Sequence, residues 1–165
     1  MTPTTEIRTR PLTAADDPWK RATLVRCWGS TAVARRGELV ECVDLPGFVA
    51  EYAGLRAGLL QYVDCAGERE VMTLSTSRQR HGVGRALMQR CLDDARSLGI
   101  GRVWLTTTND NIAAIAFYQR IGMDLCAFRR HGVRVSRRVK PSIPFHDETG
   151  VAIEHELEFE WLPGG

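Results

Sequence analysis

The residues best placed to do chemistry run from Gln79 through Arg80, His81, Gly82, Val83 and Gly84 to Arg85, between a strand-like segment and a helical one. Gly82 and Gly84 have no side chain to keep an anion at a distance. The first N–H groups of a helix starting here lack internal partners and sit at the positive end of its dipole, so they can hold a diphosphate. Arg80 and Arg85 add charge-assisted donors. No Gly-Lys-Ser/Thr follows, so this is not a P-loop, and the third glycine of a dinucleotide fingerprint is absent. Taken alone, the segment also reads as an ordinary turn into a helix.

Read as Q-x-x-G-x-G, Gln79 to Gly84 resembles the diphosphate-binding signature of the GNAT acetyltransferases. Asn111, Ala114, Tyr118, Gly122 and Met123 then fall at the spacing of a second signature of that family, N-x-x-A-x-x-x-Y-x-x-x-G-F. The two are in the family's order, separated by one helix and one strand. Thr76-Ser77-Arg78 stands where a Pro-Glu pair is frequent, and Met123 stands where phenylalanine is frequent.

The resemblance implies that acetyl-CoA is the cosubstrate and that two neighbouring parallel strands, Val71–Ser75 and Val103–Thr107, splay apart to admit its pantetheine arm. Backbone groups of Thr73 and Leu74 would bond the arm, the amides from Arg80 to Arg85 would hold the diphosphate, and Asn111 would reach the pantetheine. Tyr118 would be the general acid toward the departing thiolate, since a phenol is protonated at neutral pH. The acceptor amine must be neutral to attack, which calls for a base. Some family members carry a glutamate where Glu68 stands, and Glu70 faces the same side of the strand. Counting back from Gln79 favours Glu68, and either residue also reads as a solvated strand glutamate.

By the same resemblance, acceptor specificity belongs to residues 26–46 and 129–150. The second stretch carries Arg129, Arg130, Arg134, Arg137, Arg138 and Lys140, readable as a cationic patch for an acidic or carboxylate-bearing acceptor or for CoA phosphates, or as a solvated loop balancing the glutamates of the last strand. His146 and Glu154 are further candidates for an acceptor pocket. The expected activity is direct acetyl transfer to a primary amine of a small molecule or peptide; the alternative is an acyl-CoA-binding sensor without turnover.

These residues need strands and helices to position them. Residues 6–12 read as a short first strand, and Thr13 to Asp17 supply the start of a helix that runs to about Trp28. Residues 29–46 read as a second helical piece and a loop. Phe48–Tyr52, Leu55–Val63 and Glu68–Ser75 read as an antiparallel meander. Gly84 to Leu98 reads as a helix with one buried stripe of Leu87, Met88, Cys91, Leu92, Ala95 and Leu98, stopped at Gly99. Val103–Thr107 is a strand, Asn111 to Ile121 a helix and Met123–Phe128 a strand. Residues 129–150 read as a long connection. Val151, Ile153, Leu157, Phe159 and Trp161 alternate with Glu154, Glu156, Glu158 and Glu160, a strand with one buried and one acidic, wet face. The expectation is an α/β fold over residues 1–165, one domain with a mixed, mostly antiparallel sheet of six or seven strands and helices on both faces.

The 165 residues carry a net charge of +2, too little to point to nucleic acid or membrane. The five cysteines form no C-x-x-C pair and read as reduced thiols, mostly in the core. No metal-ligand spacing is present. MTPTTEIRTR lacks the apolar core of a secretory leader, so the expected compartment is the cytoplasm. A homodimer formed through the apolar face of the last strand is a further possibility.

Overall fold

The computed structural model describes residues 6–77 and 81–164. The chain begins with β1 (Ile7–Pro11), which leads through a single 3-10 turn into α1 (Asp17–Trp28). Pro18 sits in the first turn of α1, where no intrahelical donor is lost, and Gly29 closes the helix at φ 74°, its amide bonding Val25 O. A hairpin of β2 (Ala32–Arg35) and β3 (Glu38–Glu41) follows, in place of the expected second helical piece. Its turn, Arg36-Gly37, has positive φ at both residues, the geometry that matches strand twist.

The meander is β4 (Gly47–Tyr52), β5 (Leu55–Cys65) and β6 (Glu68–Thr76). It is followed by α2 (Val83–Ser97), β7 (Arg102–Thr108), α3 (Ile112–Arg120) and β8 (Asp124–Arg129). The expected long connection contains a helix, α4 (Gly132–Val139), and the last strand, β9 (Glu156–Trp161), begins five residues later than its alternation suggests. The seven-stranded sheet has the order β1-β4-β5-β6-β7-β9-β8, and among the described residues only β6 and β7 pair in parallel.

Each face of the sheet has its own core. On one, Leu87, Met88, Cys91 and Leu92 of α2 and Tyr118 of α3 pack against Leu60, Val71, Val103, Leu105 and Phe159. On the other, Leu24 of α1 packs with Cys42, Val43, Leu59 and Met72, bordered by Trp19, Trp28, Val33 and Val40. The apolar face of β9 belongs to the first core, with Phe159 fully buried, so it is not available to pair with a second copy. Only Cys42 and Cys91 are core cysteines; Cys27, Cys65 and Cys126 are exposed.

Gly58 lets α2 approach the sheet. A Cβ there would lie 2.7 Å from Val83 Cγ1, 2.8 Å from Leu87 Cδ1 and 3.2 Å from Ser75 O. Gly58→Ala is therefore expected to cost about 1–3 kcal/mol of stability, measured by denaturant unfolding.

Asp16 anchors the junction of β1 and α1. Its buried carboxylate accepts from Arg10 Nη1 at 2.8 Å, the Thr13 amide at 2.9 Å and Arg56 Nε at 2.8 Å. Arg10 first, against the opposing effect of burial, and then Thr13 and Arg56 hold Asp16 below the usual carboxylate range. In the unfolded chain the group takes a proton near pH ~3.9, so stability present above that value is lost as pH falls toward the lower folded value. Asp16→Asn is expected to flatten the acid limb of stability against pH below about pH 5, read from urea midpoints.

Candidate active site

The site begins where the parallel pairing ends. β6 and β7 are matched at Glu68–Arg102, Arg69–Val103 and Glu70–Trp104, and no further. β6 continues to Thr76 against β5, and β7 continues to Thr108 against β9. Between those outer partners the facing edges diverge, leaving backbone donors and acceptors along a wedge. The cause is local: opposite Gln61 and Tyr62 the register of β6 jumps from Thr73 to Val71, so Met72 is an extra residue that bends the strand. Thr73 and Leu74 lie in this unmatched stretch, and the Thr73 hydroxyl donates to Gln61 Oε1 at 3.2 Å.

At the far end of β6 stands the N-terminus of α2. Gly82 is its N-cap at φ 80°, where a Cβ would be strained. Its carbonyl accepts from Ala86 N at 2.9 Å. A Cβ at Gly84 would make ordinary contacts, 3.4 Å from Phe117 Cζ and 3.5 Å from Thr76 Cγ2, and its absence leaves the amides there less covered. Val83 is buried and points into the core, while Arg85 is exposed. His81 is exposed and meets Tyr52 edge to face. Gln79 and Arg80 lie outside the described residues.

Asn111 caps α3: its Oδ1 accepts from Ala114 N at 3.3 Å, which leaves its NH2 group as the part able to serve a ligand. Tyr118, about two helical turns further on, packs its ring against Phe117 and Phe159. Burial pushes its phenol up to about 12, so it is a neutral donor throughout the physiological range.

On the opposite face the wedge opens into a cavity of about 450 Å³. Its walls are the C-terminus of α1 with Cys27 and Trp28, strand β2 with Val33 and Arg35, the segment after α4, and Thr106 to Thr108. The Thr106 hydroxyl is buried on this wall with no hydrogen-bond partner among the described residues. Such an orphaned group is uncommon in a folded protein, and here it is a polar contact point on the cavity wall.

The structure separates the two glutamates of β6. Glu70 lines the cavity, but Arg35 Nε and Nη2 donate to its two oxygens at 2.7 and 2.6 Å. Glu68 is not on the cavity wall; it pairs with Arg102 at 3.2 Å. Sequence reasoning missed a third carboxylate, Glu156. It also lines the cavity, although β9 alternation marks it as solvent-facing. Glu156 is 2% exposed and Glu158 6%, because α4 and the β2–β3 hairpin cover that face.

The basic stretch in part balances the glutamates near the last strand and in part ties the segment down, while Arg130 and Arg138 are exposed. Arg129 pairs with Glu158, and Arg134 with Glu154 at 2.8 Å. Arg137 donates to the carbonyls of Ile143, Pro144 and Ile153. Lys140 donates to Trp28 O at 2.6 Å and Ala32 O at 2.7 Å, and burial pulls it below the ordinary lysine value. These side chains tie α4 and its following segment over the cavity. His146 and Glu154 do not line it.

The arrangement has counterparts among known proteins. The sequence profile of the acetyltransferase (GNAT) family matches residues 8–123. YdhI, an uncharacterised protein of Bacillus subtilis, is 35% identical over 133 residues, 80% of this chain and 83% of that protein. The alanine N-acetyltransferase of ribosomal protein bS18 from Escherichia coli K12 is 38% identical over 53 residues, 32% of this chain and 36% of that enzyme. A GNAT family acetyltransferase from Elizabethkingia anophelis, solved with acetyl-CoA bound, superimposes with a TM-score of 0.75 at 16% identity, over 94% of this chain and 97% of that one. A wedge between two parallel strands, a glycine-opened helix start beside it and a profile match over most of the length lead to one assignment: the chain belongs to the GNAT acetyltransferase family.

Proposed function

We propose that the protein is an acetyl-CoA-dependent N-acetyltransferase that passes the acetyl group directly to a primary amine, working in the cytoplasm with residues 1–165 as one catalytic domain. The observation that carries this reading is the wedge between β6 and β7, unpaired on both inner edges, with the open N-terminus of α2 at one end and a cavity on one face. The residues fit the cosubstrate: the strand edges suit an extended amide-bearing arm, and the amides from His81 to Arg85 suit a diphosphate. Arg80 and Gln79 would complete that cradle. Acetyl-CoA supplies the activated thioester.

The chain's own groups then have distinct tasks. The amine approaches from the cavity and gives up one proton before attack. Its lone pair forms the C–N bond to the acetyl carbon, the C–S bond breaks, and sulfur keeps the electron pair. Tyr118 protonates that sulfur, and the surplus proton on the new amide nitrogen returns through water to the phenolate. The net release is one proton per turnover. With both oxygens held by Arg35, Glu70 is suited to fixing Arg35 and shaping the cavity; Glu68, on the same strand, is paired with Arg102 off the cavity wall. An acetyl-CoA consumption assay over amino acids, short peptides, polyamines, aminoglycosides and simple alkylamines is the test. Thiol release that depends on one amine class is the expected result. CoA binding with no turnover for any amine would instead favour a sensor.

A further inference from the structure

Glu156 is a buried carboxylate with no ion-pair partner among the described residues. Its Oε1 accepts from Ser136 Oγ at 2.7 Å, and its two oxygens share the Arg36 amide at 3.0 and 3.1 Å. All of these donors are neutral. Among the described residues no lysine, arginine or histidine lies within salt-bridge distance of it, though charged groups surround it. On β2, Arg35 is used by Glu70 and Glu38. The Arg36 guanidinium lies over Trp104. On β8, Arg129 lies opposite Glu156 in the ladder; its Nη2 is used by Glu158, and its buried Nη1 has no hydrogen-bond partner among the described residues. On α4, Lys140, one turn beyond Ser136, is held by two carbonyls.

A glutamine would accept the same two bonds without the cost of burying an ion. Among the described residues no ion pair therefore uses the negative charge, although Arg129 lies opposite it on β8 and Arg35 and Lys140 share the cavity wall. The charge does have a use in the cavity, which Glu156 lines together with the apolar side chains of Trp28, Val33, Ile143 and Ile153. Gly132 makes room for it: a Cβ there would sit 3.2 Å from Glu156 Cβ and Cδ. A carboxylate offers about four acceptor sites, and Oε2 uses only a share of one amide.

We propose that Glu156 is the cation anchor of the acceptor site, and that the acceptor is a small primary amine, bound as its ammonium, with an apolar body against Trp28 and Ile153. This rests on the acetyltransferase reading and narrows its acceptor. Glu156 selects a positively charged acceptor over a neutral one of the same shape.

The test is calorimetric titration of the full chain, saturated with CoA, with 2-phenylethylamine and with its uncharged counterpart 2-phenylethanol at pH 7. Wild type is expected to bind the amine at least tenfold more tightly. Glu156→Asp keeps that preference, and Glu156→Gln loses it while its CoA affinity stays within threefold of wild type. Equal binding of amine and alcohol by wild type, no binding of the amine, or a preference that survives in Glu156→Gln overturns the proposal. If Glu156→Gln fails to melt cooperatively, the wild-type comparison and Glu156→Asp decide it. A wild type that does not bind CoA at all is a separate result, and it removes the underlying reading instead.

Discussion

Replacing Tyr118 with phenylalanine is expected to lower kcat for acetyl transfer by roughly 100-fold, the lower end of what a positioned proton donor contributes. CoA affinity and the unfolding midpoint should stay near wild type. The ring packs among Phe117, Phe159 and the α2 side chains, and phenylalanine keeps all of that contact. The hydroxyl makes no hydrogen bond to another described residue, so its loss leaves no internal partner unsatisfied. Because burial holds the phenol up at about 12, the wild-type rate should not decline through loss of the tyrosine proton between pH 8 and 10. Stopped-flow measurement of thiol release for both proteins checks the rate. An unchanged kcat would mean that water, not Tyr118, protonates the sulfur.

Gly84→Glu is expected to weaken CoA binding at least 100-fold, equivalent to about 2.7 kcal/mol, with little change in stability. The backbone at Gly84 is not in the left-handed region, and the added Cβ meets Phe117 and Thr76 at 3.4 and 3.5 Å, which a small shift relieves. An acidic side chain in the first turn is favourable to the helix itself. It would stand among the amides proposed to hold the diphosphate, adding like charge and competing for the same donors. Calorimetry with CoA and a thermal melt separate the two effects. Undiminished CoA affinity in this variant would place the diphosphate elsewhere.

The parts of this protein legible in its sequence are those set by local chemistry. Helix stops at Gly29, Gly99 and Gly122, two-residue turns at Ala53-Gly54 and Ala66-Gly67, and the stripe Leu87 to Ala95 each announce an element within a dozen residues. The hairpin at 32–41 was harder because each arm has four residues, too few to distinguish alternation from a helical face; Arg36-Gly37 was its one signal. α4 was hidden by its arginines. It holds its place through Val133, Ser136 and long basic side chains bonded to distant carbonyls, and none of that appears in a window of sequence. The same non-local cover explains Glu156. Alternation correctly assigns it to the face opposite Phe159, but whether that face meets water depends on elements more than a hundred residues upstream and twenty residues back. The register jump at Met72 that opens the wedge is likewise set by pairing between strands, so the splay followed only from the family resemblance.

The central claim is that the β6–β7 wedge and the start of α2 together hold coenzyme A. Titration of the wild-type chain with CoA in a calorimeter, paired with a thermal melt at saturating CoA, tests it most directly. The account expects saturable one-to-one binding and a midpoint raised by several degrees, since a ligand at 100 times its Kd stabilises the folded state by about 2.7 kcal/mol. No heat and an unmoved midpoint would contradict it.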